Sequence, residues 1–183
     1  VEPLQAKVFH LGSLLADDFS PEVVEALADK GTVSIDAQGY LREVVGEEVR
    51  PVEWKDMSRV LRATGILKLN ESEMQTVVGS NDPYEVGKKL AACGVGEVVM
   101  TLGSYGSVIY AGGKAYDIPA YKPKKLVDAT GCGDTFSTGY LWCRVQGMGI
   151  EEAGKFAAAM CSLKLQHSGP FDGTIADIEQ LIG

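Results

Sequence analysis

The segment Asp128-Ala129-Thr130-Gly131-Cys132-Gly133-Asp134-Thr135-Phe136 runs directly into a long apolar stretch and holds residue types suited to phosphate chemistry. Two glycines flanking a small residue let the backbone turn tightly and approach a ligand without side-chain obstruction. Free N–H groups at the start of the following helix face outward, and the helix dipole adds positive potential there. Such a nest of amides can hold a phosphate and oppose the charge that builds as it is transferred. Asp134 stands at the same mouth, where a carboxylate can accept the proton of an attacking hydroxyl. Singly, an Asp at a helix start is a common cap and Gly-x-Gly a common turn. The nine-residue string is far more specific than its parts.

Two shorter segments point the same way. Asn70-Glu71-Ser72-Glu73 follows an apolar run and offers a Glu and an amide oxygen, hard ligands that suit magnesium and its waters. The same spacing is also a helix-capping pattern, so alone it is weak. Thr101-Leu102-Gly103-Ser104-Tyr105-Gly106 is a glycine-rich turn after another apolar run. No Gly-x-x-x-x-Gly-Lys-Ser/Thr occurs, which argues against a P-loop, and Gly131-Cys132-Gly133 lacks the third glycine of a dinucleotide fingerprint.

In this order, the three segments resemble those of the ribokinase-like (PfkB) carbohydrate kinase family. The resemblance runs from Val8 through Ile182 but matches only the C-terminal portion of a typical member. It implies an anion hole at Gly131, Cys132 and Gly133, with Asp134 as catalytic base and Cys132 standing where the family usually has Ala. It implies ATP as cofactor, with Thr101, Gly103 and Gly106 against the nucleotide and Ala158 near the adenine. Asn70 and Glu73 would organise Mg2+ through water. Asp128 and Thr130, with a loop near His167-Ser168-Gly169, would bind a monovalent cation such as K+; that Asp128 merely caps the turn is an equal alternative. Asp36-Ala37-Gln38-Gly39 is similar to a stretch of inositol- and nucleoside-kinase branches, which makes Asp36 a candidate acceptor contact.

The expected activity is therefore phosphoryl transfer from ATP to a hydroxyl of a sugar, polyol or nucleoside. The alternative is a non-catalytic nucleotide- or metabolite-binding module, motivated by Cys132 and by the unrecognised acceptor half. The resemblance leaves a homodimer open.

The elements that must position these residues follow from hydrophobic periodicity. Val8–Leu11, Val33–Asp36, Ile66–Leu69 and Val98–Thr101 read as buried strands. Ser20-Pro21-Glu22 starts a helix, and others are expected at Trp54–Ala63, Glu71–Val78 and Tyr84–Cys93. Ser107–Tyr110 and Ala115–Ile118 form an antiparallel hairpin through Gly112-Gly113. Helices then span about residues 134–146, 150–166 and 175–182. Strand–helix alternation of this kind builds an α/β fold, a three-layer α/β/α (Rossmann-like) arrangement around a mainly parallel sheet. Residues 1–183 read as one domain, expected to be part of a longer chain. Lys68 reads as a solvated strand-end lysine, His10 as a core histidine, and Trp54 and Trp142 as helix-packing residues.

Composition narrows the function class. The chain has 183 residues, 45% of them apolar and 23% charged, as in a globular protein. A net charge of -8 argues against nucleic acid or an acidic membrane as partner, since phosphate contacts there need excess Lys and Arg. No run approaches a membrane span, and no signal core opens the chain. The four cysteines lack C-x-x-C spacing, so reduced thiols and a cytoplasmic location are expected.

Overall fold

The computed structural model describes residues 3–183. Six strands hydrogen-bond into one sheet: β1 (Val8–Leu11), β2 (Thr32–Asp36), β5 (Ile66–Asn70), β6 (Glu97–Thr101), β7 (Ser107–Ala111) and β8 (Lys114–Ile118), adjacent in that order. The two remaining strands, β3 (Arg42–Val45) and β4 (Glu48–Pro51), pair only with each other, antiparallel. By packing, the chain forms two compact units. One comprises the residues up to Met100 with Tyr110–Ala115, the other Thr101–Ile109 with Tyr116–Gly183.

In the first unit β1, β2 and β5 run parallel, with Leu11 opposite Ile35 and Asp36 opposite Lys68. Their C-terminal ends therefore share an edge, the edge where open α/β sheets bind ligands. Helices α1 (Pro21–Ala28), α3 (Met57–Arg62), α4 (Glu71–Val78) and α5 (Pro83–Ala92) connect these strands. The core is apolar and tightly closed: Val24, Ile35, Leu67, Leu69, Met74, Val86 and Met100 are fully buried. The β7–β8 link is Gly112-Gly113, with φ of 58° and 80°, a two-residue turn that only antiparallel neighbours can span.

Three expectations need correction here. The segment expected to be helical from Trp54 begins only at Met57, after Asp56 adopts a left-handed φ of 53°. Trp54 instead lies outside the helix and stacks on Tyr40 at 4.5 Å between ring centroids. His10 is exposed, not core, because β1 is the edge strand of the sheet; its Nδ1 lies 3.2 Å from Ser34 Oγ. A short helix α2 (Ala37–Tyr40) and the β3–β4 hairpin occupy a stretch where no element was expected.

In the second unit, α6 (Cys132–Val145) and α7 (Ile150–Lys164) pack side by side, and α8 (Ile175–Ile182) lies against α7. The close approach of α6 to α7 depends on small residues. A Cβ on Gly139 would lie 3.2 Å from Ala157 Cα and 3.0 Å from Met160 Sδ. Ala153, Ala157 and Ala159 are fully buried, so the small face of α7 is explained by helix packing. Trp142 stacks on Phe156 at 5.2 Å across the same helix pair.

Candidate active site

The Asp128–Asp134 turn is built from the second unit alone. Gly131 is the N-cap of α6 at φ 77°, a left-handed conformation that costs a glycine nothing. A Cβ there would meet no atom within 4 Å, so the backbone lies open toward solvent. The first amides of a helix have no intrahelical acceptor, and with glycine as N-cap no side chain caps them. Gly131, Gly133 and Asp134 are exposed. Cys132 differs, because its N–H donates to Ala129 O at 3.2 Å and is already engaged in the turn. The amides of Gly131, Gly133 and Asp134 are thus the better anion donors, a shift of one residue from the expected set.

Asp134 is exposed in the first turn of α6, and no hydrogen-bond or ion-pair partner holds its carboxylate among the described residues. It points away from the packed interior, as a base for an incoming hydroxyl must. Thr135 Oγ1 donates to Gly131 O at 2.9 Å and fixes the turn from behind.

The end of α7 anchors this turn. Val127 N and Asp128 N donate to Leu165 O at 2.8 and 3.3 Å, and Cys161 Sγ donates to Cys132 O at 3.3 Å. Lys164 is the surprise. Its side chain is 1% exposed, and its ammonium donates to Asp128 O at 2.9 Å and to Asp128 Oδ2 at 3.3 Å. Asp128 Oδ1 accepts from Thr130 N at 2.9 Å. Thr130 leads and Lys164 adds in holding the Asp128 carboxyl down at about 2. Each Asp128 carboxylate oxygen therefore accepts one hydrogen bond, and Asp128 does cap its turn. Thr130 and the His167–Gly169 stretch are exposed. A second unit charge about 4 Å from the ammonium would be repelled by about 4 kcal/mol at a surface-like dielectric. The residues present do not fit an added monovalent ion at Asp128.

Lys164 was missed from sequence, although a signal existed. It falls at helical spacing from Ala153, Ala157 and Cys161, on the small, buried face of α7.

The Thr101–Gly106 turn also lies within the second unit. Gly103 and Gly106 have φ of 56° and 95°, with Tyr105 between them 85% exposed. A Cβ on Gly106 would collide with Ile118 O, and Leu102 N donates to Gly106 O at 2.8 Å. Gly106 is therefore required by the backbone itself; Gly103 is required only by its dihedral. Ala158 is buried on α7.

In the first unit, Asn70 and Glu73 form a reciprocal capping box at the start of α4. Glu73 Oε2 accepts from Asn70 N at 2.9 Å and Oε1 from Asn70 Nδ2 at 2.6 Å, while Asn70 Oδ1 accepts from Glu73 N at 3.0 Å. A carboxylate has about four lone-pair sites, so Glu73 retains acceptor capacity toward a metal-bound water. The hard-oxygen donor set fits hydrated magnesium. Glu73 is 8% exposed, and burial pushes its carboxyl above the ordinary value of 4.5, with the Asn70 amide, Lys68 and Arg42 opposing.

That shift has a sign. The folded chain holds the Glu73 proton more tightly than the unfolded chain, so the group's contribution to stability is full below about pH 4.5. It is lost as pH rises through the raised folded value. In paired melts from pH 4.5 to 8, the Tm of Glu73→Gln should gain on that of the wild type as pH rises. A Tm difference, Glu73→Gln minus wild type, that falls as pH rises would contradict the assignment.

Asp36 is buried, and its Oδ2 accepts from Lys68 Nζ at 2.8 Å across the β2–β5 register. Lys68 is not solvated as expected: its side chain is 12% exposed. A Cβ on Gly39 would collide with the backbone of Ser13, so this glycine lets α2 close onto residue 13. Asp36, Lys68, Asn70 and Glu73 thus gather at the C-terminal edge of the parallel strands.

Solved structures place this architecture in a class. A pyrophosphate-dependent kinase in the ribokinase family, solved with a pyrophosphate analog and myo-inositol, superposes with a TM-score of 0.85 at 28% identity, covering 97% of this chain and 64% of that one. The fold is ribokinase-like, with a mainly parallel sheet. Residues 2–176 match the pfkB family carbohydrate kinases, and the chain belongs to that family. Among curated relatives, a nucleoside kinase of Methanocaldococcus jannaschii is 29% identical over 124 residues, 68% of this chain and 40% of that protein. A ribokinase of Arabidopsis thaliana is 34% identical over 118 residues, 61% of this chain and 31% of that protein. The chain spans less than half the length of these two relatives. No helix among the described residues is long and apolar enough to cross a membrane.

Proposed function

We propose that this chain carries the phosphoryl-transfer machinery of an ATP- and magnesium-dependent kinase that acts on a hydroxyl of a sugar, polyol or nucleoside. The observation behind it is the exposed, unpartnered Asp134 carboxylate in the first turn of a helix capped by left-handed Gly131. Asp134 takes the hydroxyl proton as the acceptor oxygen bonds to phosphorus and the bridging oxygen leaves with the diphosphate. The amides of Gly131, Gly133 and Asp134 hold the moving phosphoryl group, with Cys132 shaping the turn through its bond to Ala129. Thr101, Gly103, Gly106 and Ala158 are assigned to the nucleotide, and Asp36 to the acceptor. Asn70 and Glu73 orient water on magnesium, which when bound neutralises phosphate charge. The lack of C-x-x-C spacing among the four cysteines supports a reducing, cytoplasmic setting.

Relatives named as nucleoside kinase and ribokinase support a sugar or nucleoside acceptor. A second reading, with pyrophosphate as donor and a polyol as acceptor, is favoured by the similarity to the pyrophosphate-dependent kinase. Labelled phosphate transfer by the full-length gene product, from ATP or pyrophosphate to sugars, nucleosides and myo-inositol, tests both. Product from ATP supports the first reading, and product from pyrophosphate alone the second. Donor binding without transfer to any acceptor would leave a binding module.

A further inference from the structure

Lys164 is a full positive charge at the end of α7, 1% exposed, and it touches the phosphate turn rather than solvent. Burying an ammonium is costly unless charge and hydrogen bonds compensate it. Here the compensation comes from Asp128, three residues ahead of Gly131, through the main-chain oxygen at 2.9 Å and the carboxylate at 3.3 Å. A carbonyl and a carboxylate converging on one point are the oxygen set that a monovalent cation would take. An ammonium is a compact point charge that suits the same position. The charge on a lysine is covalently attached to the chain and cannot exchange with the medium.

We propose that the Lys164 ammonium permanently fills the cation position beside the Asp128–Asp134 turn, so that the turn holds its shape and charge without K+. This rests on the reading of that turn as the phosphate-binding element. Lys164 is a positioning residue: it acts on the donor phosphate through Asp128 and the backbone that follows.

The test uses the full-length gene product at constant ionic strength in KCl, NaCl or tetramethylammonium chloride. Wild-type turnover and Tm should be the same in all three salts. Lys164→Met empties the position, so in tetramethylammonium its turnover should fall roughly tenfold or more, within the span of coupled sites. K+ should restore much of that loss and raise the variant's Tm, as a ligand specific for the folded state does. Lys164→Gln, which keeps a donor toward Asp128 O, repeats the measurement if the Met variant does not fold. Stimulation of the wild type by K+ would overturn the proposal. So would variants that lose turnover and Tm equally in every salt, which is what a merely structural lysine predicts. If no acceptor is phosphorylated in any salt, the kinase reading fails, and the K+-dependent melting of the variants still decides the occupancy of the cation position.

Discussion

Replacing Asp134 by Asn should lower turnover by at least ~100-fold while donor affinity stays within about threefold. Asn keeps the size and polarity of the side chain at the first turn of α6 but cannot accept a proton. General-base contributions run to about 100-fold or more, and 100-fold corresponds to about 2.7 kcal/mol of barrier. Because Asp134 is exposed and makes no partner contact among the described residues, its loss should leave the melting temperature nearly unchanged. That separates a chemical role from a structural one. Steady-state kinetics of the full-length protein, beside calorimetric donor binding, would check it. Turnover within threefold of wild type would remove Asp134 from the chemistry.

Much of the local structure around Asp134 was legible in the sequence, and the reason is locality. The Asp128–Phe136 string, the Gly112-Gly113 turn and the Asn70–Glu73 pair each specify structure within a few residues. As local structure all three form: Gly131 caps α6 in a left-handed conformation, Gly112 and Gly113 make the hairpin turn, and Asn70 and Glu73 cap one another. What stayed hidden was set by contacts distant in the chain. Lys68 and Asp36 are 32 residues apart, and Lys164 and Asp128 are 36 apart, so neither pair shows in any local pattern. The hairpin Arg42–Pro51 escaped because its residues are all exposed, so its valines mark no buried face. Trp54 has helical spacing to Met57 and Val60, yet the spacing arises from a ring stack on Tyr40 and not from a helix.

The second large effect concerns folding. Lys68→Met should destabilise the protein by about 3 kcal/mol, near the low end for breaking a buried ion pair because both side chains keep about a tenth of their exposure. The carboxylate of Asp36, 7% exposed, would lose the ammonium 2.8 Å away. Adding Asp36→Asn should recover part of the loss, since it removes the charge left behind. Urea midpoints of the two singles and the double would measure the coupling. A Lys68→Met variant within about 0.5 kcal/mol of wild type, as for an ordinary surface change, would show that the pair contributes little.

The manner in which α7 grips the Asp128–Cys132 segment has a further consequence. Main-chain bonds from Val127 and Asp128, the Cys161 thiol and the Lys164 ammonium all fasten that segment to one helix end, while Gly139 and Ala157 lock the same helix to α6. On the proposed reading of this turn, an incoming phosphate would meet amides already aimed, and little ordering entropy would be lost on contact. The small side chains of α7 would then be mechanical parts of the proposed site: a bulkier residue at position 157 would wedge the helices apart and slacken the turn from more than twenty residues away along the chain.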